Sequence, residues 1–333
     1  MDYIKNNIIY IRTLTDSITE TISILSFLSS TIVIIVIYKK QLLKNLTNQY
    51  ILQLTVSEMV NNFTHFSSIF LFFIDKSDHS NERMRVCYPQ IYTGLFSNYY
   101  TLSSSLLIAY RLYDVLVKKG TFSKEKNKVR ISQLVSLFGS ITLSYIIWII
   151  QMIFFQHYFI GAKQYVRLLS CWVSFDLDLF VLFTYCILII VIFYFCCKSR
   201  SFIKEYSQLL EENDNEDEDS NKDDINSSKC SSMKKLKIFQ KRLLLYPWST
   251  LIIFSIIIIF RLIAYFANQS NNQLLVFICL LFYGFATVSR GFVFSSVYFL
   301  TQKIFREGLY ELFSCKKSKN NISTLSPFQL VEE

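Results

Sequence analysis

Few side chains in this chain could support catalysis, and their spacing argues against it. The three histidines, His65, His79 and His157, stand far apart, and none is paired at metal-ligand spacing. No HExxH and no CxxC cluster occurs, so zinc chemistry has no ligand set. The glycine-rich phosphate loops and the GxSxG nucleophile elbow are missing too. Residues 273–300 contain no lysine that could hold an aldehyde cofactor as a Schiff base. The expectation is a non-enzymatic protein with no catalytic residues, no cofactor and no metal. What remains is charge in apolar surroundings: Glu58, Arg111, Arg261 and Arg290 all fall inside hydrophobic runs. An ionisable side chain there is expensive and marks a polar cavity, a partner or a switch.

The elements that must position these charges are membrane spans. The chain has 333 residues, 52% hydrophobic and 17% aromatic, with only 7 Gly and 3 Pro, which sets it apart from soluble domains. About 20 apolar residues cross a bilayer as one helix, and lipid cannot satisfy any other backbone conformation. Seven such stretches occur, at 18–38, 48–74, 88–117, 131–155, 175–197, 243–266 and 273–300. The third is the least apolar and carries the polar run Ser97-Asn98-Tyr99-Tyr100-Thr101. The expected fold is an all-α seven-transmembrane-helix bundle over 18–300. An outer N-terminus at 1–17 precedes it, a short membrane-surface helix at 301–315 follows, and a tail at 316–333 ends the chain.

Lysine and arginine set the orientation. The segments 38–47, 118–130, 198–242 and 301–333 hold 24 of the 34, the intervening segments hold 7, and the spans hold 3. The basic side is cytosolic by the positive-inside rule, so the N-terminus is outside and the C-terminus inside. The net charge of +9 is this topology spread over four loops, not a nucleic-acid surface. Residues 1–16 are too polar for the apolar core of a signal peptide, so the first span serves as its own insertion signal.

The loops differ in character. "EENDNEDEDSNKDD" at 211–224 has nine acids and one lysine, a composition that reads as a disordered cytosolic insert over about 205–232. The basic "KKLKIFQKR" at 234–242 anchors the sixth span, and it could also dock a cytosolic partner. Cys87 and Cys171 are the two cysteines on the oxidising side, so a disulfide between them is allowed and unique. Cys196, Cys197 and Cys315 lie at the cytosolic membrane edge, where palmitoylation is chemically open, Cys315 being the natural anchor. Among five sequons, Asn268 alone falls on the outer face beyond the membrane. In "TQKIFREGLYELFSC" at 301–315, Phe305, Leu309, Leu312 and Phe313 share one helical face, with Lys303, Arg306, Glu307 and Glu311 opposite. Gly308 weakens that helix, and a tail that orders only against lipid is the competing reading.

The stretch "KRLLLYPWSTLIIFSIIIIFRLIAYF" at 241–266 combines a proline near its start with an arginine near its end. Pro247 removes one backbone hydrogen bond near the cytosolic end of the sixth span. That is either a hinge for an outward swing or a static kink for packing. Arg261 lies about five residues from the outer end, on the order of 8 Å deep. Either it faces a ligand pocket with Asp176 and Asp178 from the start of the fifth span, or it snorkels to the outer headgroups.

Several of these stretches, taken together and in order, resemble the cyclic-AMP-receptor-like (class E) G-protein-coupled receptors. "LLLYPW" at 243–248, preceded by basic residues, is similar to the start of that family's sixth helix, and "SLLIAYRLYDVLVKK" at 105–119 to the end of its third. Cys171-Trp172 resembles the family's second outer loop, and "RGFVFSSVYFL" at 290–300 resembles the end of its seventh helix. Rhodopsin-like Asp-Arg-Tyr is absent, since Arg111 lies between Tyr110 and Leu112, and the fourth span has no proline. The resemblance covers about 17–315. It implies an extracellular small-molecule ligand, with a cyclic nucleotide among the candidates, and a heterotrimeric G protein as cytosolic partner. It also implies Arg111, Tyr113, Tyr246, Pro247 and Tyr298 as switch positions and adds Trp172 to the pocket. The expected function is therefore a plasma-membrane receptor; a transporter or channel is the alternative, disfavoured by the absence of an internal repeat and the scarcity of Gly.

The same resemblance makes the second and seventh helices neighbours. Glu58 lies ten residues into the second span and Arg290 ten residues before the end of the seventh, so both sit roughly 15 Å above the inner boundary. An ion pair between them is expected. The alternative is a protonated Glu58 bonded to Ser57 or Asn61, with Arg290 reaching down to the inner headgroups.

Overall fold

A computed structural model of the chain describes residues 2–44, 46–74, 80–117, 126–154, 175–216, 223–270, 272–302 and 306. Seven α-helices carry almost all of them: α1 (Asp2–Lys39), α2 (Leu46–Ile74), α3 (Ser80–Val117), α4 (Lys126–Phe154), α5 (Phe175–Glu216), α6 (Asp223–Gln269) and α7 (Gln273–Thr301). Each expected span lies within one helix, apart from the last residue of the fourth. The chain leaves α1 through Gln41, whose φ of 53° turns the backbone into a 3-10 turn at Leu42–Lys44. Asn272 caps α7, its side chain accepting from the Leu275 backbone N–H at 3.2 Å.

Several helices extend beyond the expected spans, α1 starting at Asp2 and α3 at Ser80, and one extension runs against the sequence reading. Composition assigned about 205–232 to disorder, yet α5 continues to Glu216 and α6 begins at Asp223. Once a span has nucleated a helix, each further residue costs little, and "SFIKEYSQLLEE" contains neither Gly nor Pro to stop it. The acidic residues 217–222 lie outside the described residues.

Helix α3 packs against α2, α4, α5 and α6, and α7 packs against α1, α2 and α6. The predicted contact between the second and seventh helices is therefore present. The outward faces of α4 and α5 are apolar, with Phe138, Ile153, Phe183 and Ile190 each more than 60% exposed, as lipid contact requires. Five helices are long and apolar enough to cross a membrane by length and composition; α2 and α3 are not among them. Their polarity is turned inward: Ser57, Glu58, Asn61 and Asn62 on α2 and Ser97, Asn98, Thr101, Ser104 and Ser105 on α3 are all buried. A hydroxyl seam joins α2, α3 and α4, with Gln53 Nε2 donating to Ser136 Oγ at 3.3 Å and Ser136 Oγ to Ser103 Oγ at 2.7 Å. Small hydroxyl side chains of this kind let helices approach closely and bond across the gap. Gly291 does the same on α7: a Cβ there would stand 2.5 Å from Asn62 Nδ2 and 3.0 Å from Ser30 Oγ.

Candidate functional site

The polar positions of α2, α3 and α7 converge on one layer. Arg290 Nε lies 3.2 Å from Glu58 Oε2, and both side chains are completely buried. That approach lacks the alignment of a hydrogen bond, so the attraction there is coulombic. The directional bonds come from α3. Thr101 Oγ1 donates to Glu58 Oε1 at 2.7 Å, and Arg290 Nη1 donates to Asn98 Oδ1 at 2.7 Å. The Phe254 ring of α6 covers the guanidinium, its centroid 5.0 Å from Cζ. One charge pair thus gathers four helices.

A second set of bonds braces the layer. Ser57 Oγ donates to the Ser97 carbonyl at 2.8 Å, Ser97 Oγ to Asn61 Oδ1 at 3.2 Å, and Asn61 Nδ2 to the Thr287 carbonyl at 3.2 Å. Ser57 and Asn61 therefore bond other groups. The alternative of a Glu58 bonded to them alone does not describe this layer.

The bundle holds a small cavity of about 20 Å³ near the start of α5. That is roughly enough for one water. Asn98, Asp178, Tyr185, Arg261 and Tyr283 are its polar lining, and the rest is aliphatic, Leu95 and Ile257 among it. Arg261 Nε approaches Asp178 Oδ2 at 2.8 Å, with side chains 3% and 9% exposed, and Cζ lies 4.7 Å from the centre of the Tyr283 ring. Burial of this degree replaces the snorkelling alternative for Arg261. Asp178 on α5 and Arg261 on α6 close the cavity between their helices.

Cavity and charge layer share residues. Asn98 lines the cavity and also accepts from Arg290. Tyr185 lines it too, and its ring meets Phe254 edge-on at 5.8 Å. Neither residue was singled out in the sequence, although Asn98 sits in the polar run that marked the third span.

The expected switch positions gather away from that cavity, toward the end of α7. Arg111 Nη1 pairs with Asp114 Oδ2 at 3.5 Å, one turn along α3. Tyr113 packs against Phe195 of α5 at 5.3 Å. Tyr298 donates to Asn48 Oδ1 at 3.3 Å, tying α7 to α2, and the Tyr246 and Thr301 hydroxyls lie 3.3 Å apart, tying α6 to α7. Pro247 lies inside α6 and withholds a hydrogen bond from the Leu243 carbonyl. Two residues on, Ser249 Oγ shares its proton with the Leu245 and Tyr246 carbonyls, each at 2.9 Å. Cys196 is buried in the core, out of reach of a lipid-modifying enzyme. Arg306 Nη1 donates to the Leu300 carbonyl at 3.0 Å, closing the end of α7.

Other expected sites fall elsewhere. Cys171, Trp172 and Cys315, with most of the 301–315 segment, lie outside the described residues. For Cys87 and Asp176 the structure describes the helical backbone and not the side chain, so the disulfide and the second pocket carboxylate stay expectations.

No protein-family model and no curated protein sequence matches the chain. Among solved structures, the chain is similar to squid rhodopsin, with a TM-score of 0.62 over 93% of this chain and 89% of that one, at 13% sequence identity. The shared property is the fold, a bundle of seven helices. The narrower resemblance to the class E receptors rests on the sequence motifs alone.

An unpaired charge at the depth of Glu58 and Arg290 costs at least about 2.5 kcal/mol, and breaking a buried pair by removing one partner typically costs about 3–5 kcal/mol. Glu58→Arg and Arg290→Glu should each lower the melting temperature or surface expression markedly. The double variant, which restores opposite charges, should recover much of the loss. A double variant as poor as the summed singles would show that the two residues are not coupled.

Proposed function

We propose that this chain is a plasma-membrane receptor, with its N-terminus outside and its C-terminus in the cytosol. It binds a small extracellular ligand and signals to a heterotrimeric G protein. The observation that carries this reading is Asn98, which lines the outer cavity and holds Arg290 of the buried pair. A ligand that repositions Asn98 alters the charge layer beneath it. The layer in turn joins α2, α3 and α7, and α7 continues to the Tyr298–Asn48 contact with α2 and the Tyr246–Thr301 contact with α6. Pro247 supplies α6 with a weak point just above those contacts. Outward movement of the inner end of α6 opens a cytosolic cleft for the partner, flanked by the basic segments 118–130 and 234–242. A ligand drives this only to the extent that it binds the two states unequally. A cyclic nucleotide is the ligand suggested by the class E resemblance. The membrane-surface helix at 301–315, anchored through Cys315, completes the cytosolic face.

The test needs no ligand. In membranes holding a co-expressed G protein, Glu58→Gln should raise basal nucleotide exchange several-fold over the wild type, because it loosens the layer that holds the resting state. Exchange indistinguishable from untransfected membranes for both proteins, together with saturable solute flux in liposomes, would replace the receptor by a transporter.

The outer face carries a further proposal. Cys87 and Cys171 are joined, pinning the Cys171-Trp172 loop over the cavity mouth. A non-reduced digest of surface-expressed protein should yield the linked peptides. Recovery of both cysteines as free thiols would end the idea.

A further inference from the structure

The outer cavity contains its own statement of ligand charge. Its two charged lining groups, Asp178 and Arg261, are opposite in sign, belong to different helices and touch each other at 2.8 Å. Any ligand that enters between α5 and α6 must separate them or sit beside both. An anion alone would draw Arg261 away and leave Asp178 buried without a counter-charge. A cation alone would do the reverse. Either exchange leaves one of the two buried charges without its present counter-charge, and breaking a buried pair is costly. A ligand carrying both charges replaces one salt bridge by two and leaves none unpaired.

The remaining lining narrows the class. Leu95, Val181, Leu182 and Ile257 offer aliphatic surface, while Asn98 and Tyr185 offer polar groups on the side of the Arg290 layer. We infer that the cavity of this receptor recognises a small zwitterion with its ammonium and carboxylate close together and an apolar side chain, as in an α-amino acid. The carboxylate takes the guanidinium fork of Arg261, the ammonium takes Asp178, and the side chain lies against the aliphatic wall. The present cavity of about 20 Å³ is too small for such a molecule, so its entry must part α5 from α6. That parting is the unequal affinity for two states that the receptor reading requires, and the inference rests on that reading. A cyclic nucleotide, an anion with no ammonium group, does not fit this charge pattern.

The experiment is a thermal-shift panel on the purified full-length chain. The probes are the apolar α-amino acids, their N-acetyl and methyl-ester derivatives, and cyclic AMP. At least one free amino acid should raise the melting temperature in a saturable way, since a ligand that binds only the native state stabilises it. Its N-acetyl and ester derivatives, each lacking one charge, should lose at least about tenfold in affinity. The paired variant Asp178→Leu with Arg261→Met removes both charges together. It should keep the melting temperature of the wild type and lose the shift. No shift from any free amino acid, equal shifts from the derivatives, or a shift from cyclic AMP alone would each overturn the zwitterion. The receptor reading itself is judged separately by ligand-free nucleotide exchange, so the two can fail independently.

Discussion

The bundle is organised around one pair of charges that lipid will not tolerate apart. Glu58 and Arg290 are fully buried, and each is held by α3 as well as by the other. Attraction between opposite charges in a medium of low dielectric is strong, and so is the cost of burying them, so the net contribution to stability is modest. The geometric consequence is larger. The pair is satisfied only when α2, α3 and α7 are in register, which makes it a specifying contact. The stacked ring of Phe254 extends the requirement to α6. A layer that demands four helices in one arrangement resists small displacements and yields to a large one, which is the behaviour of a two-state switch.

The outer pair obeys the same physics with a different outcome. Asp178 and Arg261 join only two helices, beside a cavity, with Tyr283 as the aromatic neighbour. Here the charges can be exchanged for those of a ligand without stranding either. Glu58 and Arg290 do not line that cavity. One pair is therefore suited to recognition and the other to holding a state. Asn98 and Tyr185 link the cavity to the charge layer, Asn98 through its bond from Arg290 and Tyr185 through its ring contact with Phe254.

Much of this was legible in the sequence because lipid imposes so strict a code. Seven runs became seven helices, and of the charges inside them Glu58, Arg261 and Arg290 entered the two buried pairs while Arg111 paired with Asp114 on its own helix. Glu58 with Arg290 was readable because both lie at one depth; Arg261 with Asp178 was readable because both lie near the outer surface. The rest depends on helix rotation, which residue type does not reveal. Asn98, Thr101, Phe254 and Tyr283 became partners only once the faces of α3, α6 and α7 were set against one another. The polar run at 97–101 announced an inward face without saying what it met. At the acidic insert, where net charge spoke for disorder, the neighbouring helices carry their own hydrogen-bond ladders as far as Glu216 and from Asp223.

The central claim is that the Glu58–Arg290 pair holds α6 in its resting position. Spin labels at Ile131→Cys and Leu245→Cys, exposed positions on α4 and, two residues before Pro247, on α6, report that position as an electron–electron distance. The account predicts a narrow distribution in the labelled parent protein. It predicts a longer second population when Glu58→Gln is added, without any ligand. An unchanged distribution in a variant that still folds would contradict it.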